Sequence, residues 1–575
     1  MVGQKQTNLQ ASSNKRKNIV SLLILIVIIV LVNFIGSYFF KRFDLTSEKR
    51  YTLAESTRKL LSGIEDEVYL KIYLEGDFNP SFARLKNETR EMLDEFRAYS
   101  NNNIQYEFIV PGEGLTTEEA QGIEKQLYDK GIIPEEITER KKDKTLQTRI
   151  WPGAIISYKG KETAWQIFRR QDFSNSPEEN INNSIEELEY SLTNAIRKLQ
   201  RDKKLEVTFI QGHGEIDTLH QYRFMQALSE YYDVNQTQIS GRLNGLLGSD
   251  AIVIAQPDSA FDDKDKYIID QYIMNGGKVL WLIDPVEVNR DSLRKGFSIG
   301  INRPLNIEDM LFKYGVRLNP LLVQDLQCGK IGVNVGFKGQ PKIELFPWLY
   351  SPIVTTDNNH PIVKNLDAIK FDFVSSIDTI SSAKGIKKTI LLRTSRYSKT
   401  QPCPVRIALG SVRIQAKESQ FINSYQPVAC LLEGQFSSFV EYRISSRLLS
   451  DSLFKYIDKG KVTKMIVVAD GDIARNDLNR NTGEMPPLGY DRYTRMTFAN
   501  QTFLLNCINY LLDDEGMLQL RSREVKLRLL DVKKINQHHT KWQIVNVVLP
   551  MLLVIALAFL QFYLRKGKYA KEKSK

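Results

Sequence analysis

Two long apolar segments lie near the ends of the chain, and both predict membrane-spanning helices. Residues 19–40 form a run of 22 residues without a charge, and residues 542–564 form a run of 23. A bilayer core of about 30 Å needs roughly 20 apolar residues in a helix, so either run can span it. The first run is too long for a secretory signal and indicates an uncleaved anchor. Tryptophan and tyrosine near the borders of the second run favour a membrane span over a buried core helix.

The 500 or so residues between the two spans begin with a mixed pattern. "EVYLKIYLEG" and "NIQYEFIVP" predict strands, and the segment between them places its apolar residues on one face of a helix. Strand, helix and strand with short joints predict a βαβ unit, of the thioredoxin-like kind, with a parallel strand pair. "AIISYKGKETAWQIF" predicts a hairpin that extends this sheet. We expect a membrane-proximal α/β domain at 41–175, bounded by the polar run 174–184.

Apolar strands alternate with amphipathic helices from residue 185 to residue 315. This order is typical of a parallel sheet covered on both faces by helices. Residues 316–450 turn to short strands and turns, which predicts a β-rich insertion or lobe. "KMIVVADGDIARND" and the helical segment after it repeat the earlier order, so residues 451–530 are expected to return to the α/β domain. The fold class is therefore α/β, with two membrane helices flanking a large exported region.

The charge of the two tails predicts how the chain is oriented. Residues 1–18 carry a net charge of +4 and residues 565–575 carry +5, which leaves +2 of the total +11 for the rest. By the positive-inside rule, both tails are cytoplasmic and residues 41–541 lie on the opposite side of the membrane. The pI of 9.1 is thus mostly a signal of topology. Nucleic acid is not an expected partner, because no basic stripe interleaved with aromatic residues occurs.

Polar residues follow four of the predicted strands of the second domain. Ligands of open parallel sheets bind beyond the carboxyl ends of the strands, so these residues would line a ligand- or partner-binding crevice if the strands share one sheet. The strand ends read "QGHGEID", "AQPDS", "IDPVE" and "ADGDIARND". The candidate crevice residues are His213, Glu215, Asp217, Asp258, Asp284, Asp470 and Asp472, with Gly212 and Gly214 as turn glycines.

Four interpretations of these strand ends are open. A nucleophile elbow is disfavoured, because histidine occupies the place of serine or cysteine between the glycines. Zinc would need His213, Glu215 and His220 as ligands. A hydrolase could pair Glu215 with Asp470 or Asp472. We favour the fourth interpretation, in which the glycines supply backbone freedom for a turn and the polar side chains hydrogen bond to the loop, with no catalytic residue and no metal.

Two further patterns bear on chemistry. The sequence contains no G-x-x-x-x-G-K-[ST] segment, so the chain has no P-loop of its own, and no cofactor is expected. The four cysteines are an even number, which an oxidising compartment would allow to pair. Cys430 and Cys507 lie in apolar segments and are expected to be buried thiols. A bridge between Cys403 and Cys430 is the alternative.

Four segments carry a resemblance to a known family: "DLTSEKRYTLAESTRKLL", "YLEGDFNPSFARLKNETREMLDEFRAYS", "IQGHGEID" and "VVADGDIARND". In this order and topology, the chain resembles the gliding-motility-associated ABC-transporter auxiliary proteins of the GldG family, which are often described as substrate-binding. The resemblance runs from the first span to the last and is loosest at 316–450.

The resemblance implies a bacterial inner-membrane protein that works with a separate ATPase and a multispanning permease. It also implies an amidotransferase-like middle domain that lacks the usual catalytic cysteine, and it supplies no catalytic residues. We therefore expect a non-catalytic auxiliary subunit with a periplasmic domain that contacts an exported or periplasmic ligand. A membrane-tethered hydrolase that uses loops 213–217 and 470–472 is the competing hypothesis. A free-standing binding protein is disfavoured by the two anchors.

Overall fold

The architecture is known from a computed structural model of the full chain. It describes residues 20–31, 34, 52–76, 78–141, 144–168, 177–200, 203–242, 245–336, 340, 342–356, 360–364, 366–381, 383, 385–440, 456–478, 483, 485–513, 535 and 537–570. The first described element is an apolar helix, α1 (Val20–Leu31). The rest of the predicted first span lies outside the described residues, apart from residue 34.

The first domain is a four-stranded sheet covered by helices. Its elements are α2 (Glu55–Ser62), β1 (Val68–Ile72), α3 (Pro80–Tyr99), β2 (Ile104–Phe108), α4 (Thr117–Asp129), β3 (Glu135–Lys141), β4 (Lys144–Ile150), β5 (Gly153–Tyr158), β6 (Lys161–Gln166), α5 (Pro177–Glu186) and α6 (Leu188–Gln200). The sheet order is β2-β1-β5-β6, with β1 parallel to β2 and the β5–β6 hairpin antiparallel. The predicted βαβ unit and hairpin are confirmed.

Helices α5 and α6 belong to this first domain. Ile181 and Ile185 of α5 and Leu192 and Ile196 of α6 are buried in the same core as Leu70 of β1. The polar run before residue 185 and the strand after this helical segment predict that residues from 185 onward belong to the second domain. Packing places both helices with the first sheet instead. The second domain therefore begins after α6.

The second domain opens with alternating strands and helices. These are β7 (Glu206–Gln211), α7 (Tyr222–Ser229), β8 (Asp233–Gln238), β9 (Ala251–Ala255), α8 (Asp263–Met274) and β10 (Lys278–Leu282). Strand β8 lies at the edge of the sheet and exposes most of its residues, so the apolar pattern that predicted β7, β9 and β10 is absent from it.

The next segment is rich in strands, which begin before the predicted boundary at residue 316, and residues 441–450 of the predicted insertion lie outside the described residues. It contains β11 (Val286–Glu287), α9 (Arg290–Arg294), β12 (Phe297–Asn302), α10 (Glu308–Tyr314), β13 (Val316–Asn319), β14 (Leu321–Asp325), β15 (Cys328–Asn334), β16 (Ile343–Val354), β17 (Ile369–Lys370), β18 (Ser376–Thr379), β19 (Ile386–Arg393), β20 (Ser398–Pro402), β21 (Val405–Ala408) and β22 (Pro427–Ser437). Most of these strands form small antiparallel sheets, but β19 and β22 join the main sheet.

One seven-stranded sheet organises the second domain. The chain returns to it through β23 (Lys459–Val468) and continues with β24 (Tyr490–Asp491), β25 (Met496–Thr497) and α11 (Asn500–Leu511). The strand order is β19-β22-β23-β10-β9-β7-β8, and β23, β10, β9, β7 and β8 are mutually parallel. The sheet is mixed rather than wholly parallel, because β22 and β19 add to it in antiparallel fashion.

Helices cover both faces of this sheet, as the buried strands require. Val253 of β9 lies in a core with Phe224 of α7 and Phe503 of α11. Its neighbour Ile254 faces the other side and shares a core with Ile269 of α8. Since successive side chains of a strand alternate between faces, the continuous apolar run of β9 supplies both cores.

The C-terminal helix, α12 (His539–Ala570), contains the predicted second span and accommodates Pro550. Its segment His539–Leu564 is, among the described residues, the one helix long and apolar enough to cross a membrane. Helix α1 is apolar but shorter over the residues described.

Candidate functional site

The segment "GHGE" forms a tight turn at the carboxyl end of β7. Gly212 and Gly214 adopt φ values of +119° and +70°, a region that side chains with a Cβ rarely occupy. The carbonyl of His213 accepts hydrogen bonds from the backbone N–H groups of Asp258 and Ser259, both at 2.9 Å. The turn after β7 is thereby attached to the loop after β9. These two strands flank the point where the strand order reverses, which is where open α/β sheets bind ligands.

His213 is held rigidly in this turn. Its Nδ1 lies 3.2 Å from Oε1 of Glu215, and its Nε2 lies 3.1 Å from Oδ2 of Asp265. The imidazole stacks on the Phe261 ring with 3.8 Å between centroids. Oε2 of Glu215 accepts the backbone N–H of His213 at 2.7 Å. Because both ring nitrogens and both Glu215 oxygens have partners inside the protein, these side chains define the shape of the turn.

The same contacts set the charge of His213. Burial disfavours the imidazolium, but the hydrogen bonds and negative charges of Glu215 and Asp265 outweigh burial and raise the pKa of His213 above its ordinary value. Asp265 also accepts the backbone N–H of Gly241 at 2.7 Å, so the pair connects the loops after β7 and β8 to helix α8. Sequence reasoning missed Asp265, whose position in the first turn of α8 gives no signal beyond that of a capping residue.

A second polar cluster lies at the carboxyl ends of β10 and β23. Asp284 accepts the backbone N–H of Gly471 at 2.6 Å and the side-chain amide of Gln256 at 2.7 Å. Asp470 is fully buried, and its Oδ2 accepts the backbone N–H of Asp372 at 2.8 Å. The insertion therefore contributes Asp372 to this edge of the sheet.

Asp472 lies 2.6 Å from a guanidinium nitrogen of Arg290, in the first turn of α9. Arg290 also lies 3.8 Å from Asp372 and stacks over Phe373, with 5.7 Å between its guanidinium carbon and the ring centroid. One arginine therefore faces carboxylates from two segments that are distant in the sequence. The sequence could not identify Arg290 as part of the site, because nothing in its local pattern places it near residue 472.

Burial and mutual repulsion shape the protonation of these carboxyl groups. Burial and then the Asp472 charge raise the pKa of Asp284 to about 6. Burial and then the Asp284 and Asp472 charges raise the pKa of Asp470 well above its ordinary value. Buried carboxyl groups that share a site cannot all ionise at low cost. Oδ1 of Asp470 and Oδ1 of Asp472 accept no hydrogen bond from the part of the chain that the structure describes.

The structure brings the candidate residues together only in part. His213 and Glu215 form one cluster, next to Asp258. The other cluster consists of Asp284, Asp470 and Asp472. Asp217 belongs to neither, because its exposed carboxylate bonds to the backbone N–H and imidazole of His220 at 2.9 and 2.7 Å.

These contacts weigh against the chemical alternatives. The zinc hypothesis would require His213 to give up a hydrogen bond, and no group of three histidine, cysteine or acidic residues among the described residues could hold a metal ion. The hydrolase hypothesis needs carboxylates open to a substrate, whereas Glu215 is occupied by His213 and Asp470 has no exposed surface. The four cysteines are free thiols, with Cys430 and Cys507 buried as predicted, so the Cys403–Cys430 bridge is wrong.

Known proteins are similar to this chain over most of its length. A Borreliella burgdorferi protein described as an uncharacterized protein is 22% identical, with 96% of this chain and 99% of that protein covered. Among solved structures, the N-terminal domain of mmIFT52 matches 54% of this chain and 97% of its own at 12% identity, with a TM-score of 0.31. A ThuA-like protein from Parabacteroides merdae matches 57% of this chain and 94% of its own at 11% identity, with a TM-score of 0.25.

Two family models match the chain in succession. Residues 47–157, within the first domain, match a domain of unknown function. Residues 204–507 match the auxiliary family of an ABC-type uncharacterized transport system. The second match begins just before β7, ends within α11 and includes both polar clusters. It covers more than half of the 575 residues, and the chain belongs to this ABC-type transport auxiliary family.

Proposed function

We propose that this protein is a non-catalytic, substrate-binding-like auxiliary subunit of an inner-membrane ABC transporter associated with bacterial gliding motility. A separate ATPase supplies the energy and a separate permease forms the path across the bilayer. The observation that supports this proposal most directly is the state of the "GHGE" turn. Its one histidine and its glutamate are fully engaged with each other and with Asp265, so the turn acts as a scaffold. Membership of the transport auxiliary family supports the same role.

The crevice at the carboxyl ends of β7 and β9 is the proposed contact surface for an exported ligand or a partner. Asp217 and Asp258 are its exposed members, whereas His213 and Glu215 lie beneath them. Loops that project from a rigid parallel sheet are well suited to recognition, because the sheet fixes their positions. In this proposal the buried residues keep the crevice in shape and the exposed acids make the contacts.

We place the protein as a two-pass component of the inner membrane, with both termini in the cytoplasm and the two α/β domains in the periplasm. The charge of the tails and the apolar helix α12 support this placement. The first domain would be thioredoxin-like and the second amidotransferase-like. Reporter fusions at the C-terminus and near residue 175 test the topology, and cytoplasmic activity of the internal reporter would contradict it.

Co-purification tests the assembly. The full chain, tagged and extracted in mild detergent, is expected to retain a permease and an ATPase. Replacing residues 542–564 by polyleucine keeps the length and hydrophobicity of the span and removes its specific surface. We expect this variant to stay in the membrane and lose the permease, because helix association in lipid depends on side-chain packing. A wild-type chain that purifies alone, or that hydrolyses ATP alone, would contradict the assignment.

A further inference from the structure

The β15–β16 hairpin carries exposed apolar side chains that lie outside the two polar clusters. Exposure falls along β16 from its first residue inward. Ile343 and Leu345 are 69% and 47% exposed, whereas Trp348 and Tyr350 are 6% and 4% exposed. The outer half of the hairpin therefore reaches into solvent, and its inner half joins a buried core of the domain. Exposed apolar patches of this kind mark surfaces that contact a protein or a membrane.

The pairing register places the exposed residues on one face of the hairpin. Residues directly opposite each other in an antiparallel pair lie on the same face. One face therefore holds Lys330, Asn334, Ile343, Leu345 and Pro347, and all five are exposed. We call these five residues the hairpin face. The opposite face includes Ile331, which packs partly against the buried core, so the two faces differ in their surroundings.

The turn between β24 and β25 packs against the hairpin face. A Cβ atom at Gly332 would lie 2.8 Å from Cε1 of Tyr493 and 2.9 Å from Cγ2 of Ile343, so the tyrosine ring lies on the β15 backbone beside the isoleucine. The buried Asp491 fixes this turn, because it accepts the backbone N–H of Tyr493 at 3.4 Å and the hydroxyl of Thr494 at 2.6 Å. A surface held in this way loses little conformational freedom on binding.

The side chains around the hairpin face are basic. Lys330, Arg492 and Arg495 are exposed, and none of them forms an ion pair with an acidic residue in the described ranges. The guanidinium carbon of Arg492 lies 5.0 Å from the centroid of the Tyr493 ring, and Arg492 donates a hydrogen bond to the tyrosine hydroxyl at 3.3 Å. These contacts orient Arg492 and leave its positive charge uncompensated, because the tyrosine is neutral.

The acidic residues of the two hairpins are already paired. The carboxylate of Glu344 lies 2.7 Å from Nζ of Lys342, and that of Asp491 lies 3.5 Å from Nζ of Lys370. Over their described residues, the two hairpins therefore offer unpaired positive charge and no unpaired negative charge. This combination is complementary to an anionic surface. It disfavours a second copy of the chain, because the same positive face would then meet itself.

We propose that the hairpin face and the β24–β25 turn bind the surface of an anionic lipid bilayer. Ile343 and Leu345 enter the boundary between headgroups and acyl chains. Lys330, Arg492 and Arg495 pair with lipid phosphates. Binding of this kind grows with the apolar area buried and with the attraction of basic side chains to anionic lipids. A bilayer fits better than a folded acidic protein, because the outer end of a hairpin can enter a headgroup layer while the rest of the domain stays in water.

An anchor in the same chain makes a weak contact of this kind sufficient. The inference rests on the proposed membrane placement, in which α12 holds the chain at a bilayer through its segment His539–Leu564. Tethering turns binding by the hairpin into an intramolecular step, for which the effective concentration of the lipid surface is high. The hairpin then keeps the second domain in contact with the bilayer.

The test uses the full chain reconstituted in vesicles of phosphatidylcholine, alone or mixed with phosphatidylglycerol. A bimane label on Ile343→Cys reports contact with nitroxide-labelled lipid by quenching, in a background in which the half-buried Cys328 and Cys403 are replaced by serine. Quenching is expected in the mixed vesicles and should be much weaker in phosphatidylcholine alone. Leu247→Cys is the matched control, since Leu247 is 75% exposed in the segment between β8 and β9, and its label should stay unquenched in both.

Charge reversal tests the recognition of anionic lipid. Lys330→Glu combined with Arg495→Glu should lower quenching at residue 343 to that of the control label. Each basic residue near an anionic surface contributes roughly fivefold to binding, so reversal of two charges should weaken the contact by about tenfold or more. Arg413→Glu combined with Lys417→Glu changes two exposed residues outside both hairpins and should leave quenching unchanged.

Flotation with the vesicles reports the membrane helix independently of the hairpin. A chain that fails to float would contradict the membrane placement and, with it, this contact. A chain that floats without quenching at residue 343, or with equal quenching of the Leu247→Cys label, would overturn the hairpin contact alone. Equal quenching in phosphatidylcholine, or an equal loss in the Arg413→Glu and Lys417→Glu variant, would overturn the preference for anionic lipid. A disulfide between two unlabelled Ile343→Cys chains, formed in place of lipid quenching, would assign the face to a second copy.

Discussion

Substitution of Gly214 by alanine is a direct test of the turn after β7. Gly214 has a φ of +70°, and a Cβ atom there would overlap the carboxyl group of Asp258. Gly160 provides a matched control, because its φ is +76° and a Cβ atom at that position would meet no atom within 4 Å. Both substitutions carry the cost of a left-handed residue with a side chain, about 1–2 kcal/mol. Only Gly214→Ala carries a steric cost as well.

The steric cost of Gly214→Ala comes from displacement of the Asp258 carboxyl group. Its Oδ1 accepts the Ser259 hydroxyl at 2.7 Å, and this bond breaks when the carboxyl group rotates away. The net loss is about 0.5–1.5 kcal/mol for the bond. A displaced rotamer adds about 0.5–1.5 kcal/mol. Gly214→Ala should therefore cost about 1–3 kcal/mol more than Gly160→Ala.

Hydrogen-exchange mass spectrometry of the full chain measures these costs locally, from peptides of β7 and β9 for Gly214 and of β5 and β6 for Gly160. The double variant Gly214→Ala with Asp258→Ala removes the overlap. Its cost should fall below the sum of the two single substitutions, because the residues contact each other. A cost of Gly214→Ala as small as that of Gly160→Ala, or additive costs of the Gly214 and Asp258 substitutions, would contradict the steric overlap between these two residues.

The protonation of His213 and Asp284 and the burial of the cysteines can each be tested in solution. Because the folded protein raises the pKa of His213, protonation of this histidine stabilises the fold below pH 6.5, about the pKa of histidine in the unfolded chain. This contribution is lost as pH rises through the pKa of His213 in the folded protein. The free energy of unfolding, measured in urea against pH, should therefore fall over this range in the wild-type protein and not in His213→Gln. Because the pKa of Asp284 is raised to about 6, the free energy of unfolding should decrease as pH rises from about 4 to about 6, by at most about 3 kcal/mol. Asp284→Asn should make the free energy of unfolding less dependent on pH over this range. An unchanged dependence would contradict the role of Asp284. Native protein should resist thiol alkylation at pH 7, with the half-buried Cys403 reacting before the buried Cys430 and Cys507, and equal rates for all three would contradict their burial.

Much of the sheet could be predicted because its strands are buried. Strands β7, β9 and β10 are continuous apolar runs that end at turn-forming residues. Such runs occur where both faces of a strand are covered. Strand β8 escaped prediction because it is an exposed edge strand, and its sequence "DVNQTQ" lacks an apolar pattern. The helix α6 was found as a helix but assigned to the wrong core, since periodicity shows which face is apolar and not what covers it.

The candidate site shows the same limit. The carboxyl ends of the strands could be read from the sequence, and one sheet does bring the loops after β7, β9, β10 and β23 to one edge. The contacts between loops could not be read. Asp265 and Arg290 reach His213 and Asp472 from helices distant in sequence, and Asp372 arrives from the insertion. Only tertiary structure shows that the polar residues divide into two clusters.

The position of β23 beside β10 has a consequence for the order of folding. These neighbours pair in parallel, yet the chain between Leu282 and Lys459 must be made before they can meet. During synthesis, the edge of β10 that later pairs with β23 is unpaired, and Trp281 lacks part of the apolar core that surrounds it in the folded protein. Contacts between residues so distant in sequence form slowly, and unpaired edges are prone to aggregate meanwhile. A nascent chain that ends before Lys459 is therefore the species that most needs a chaperone.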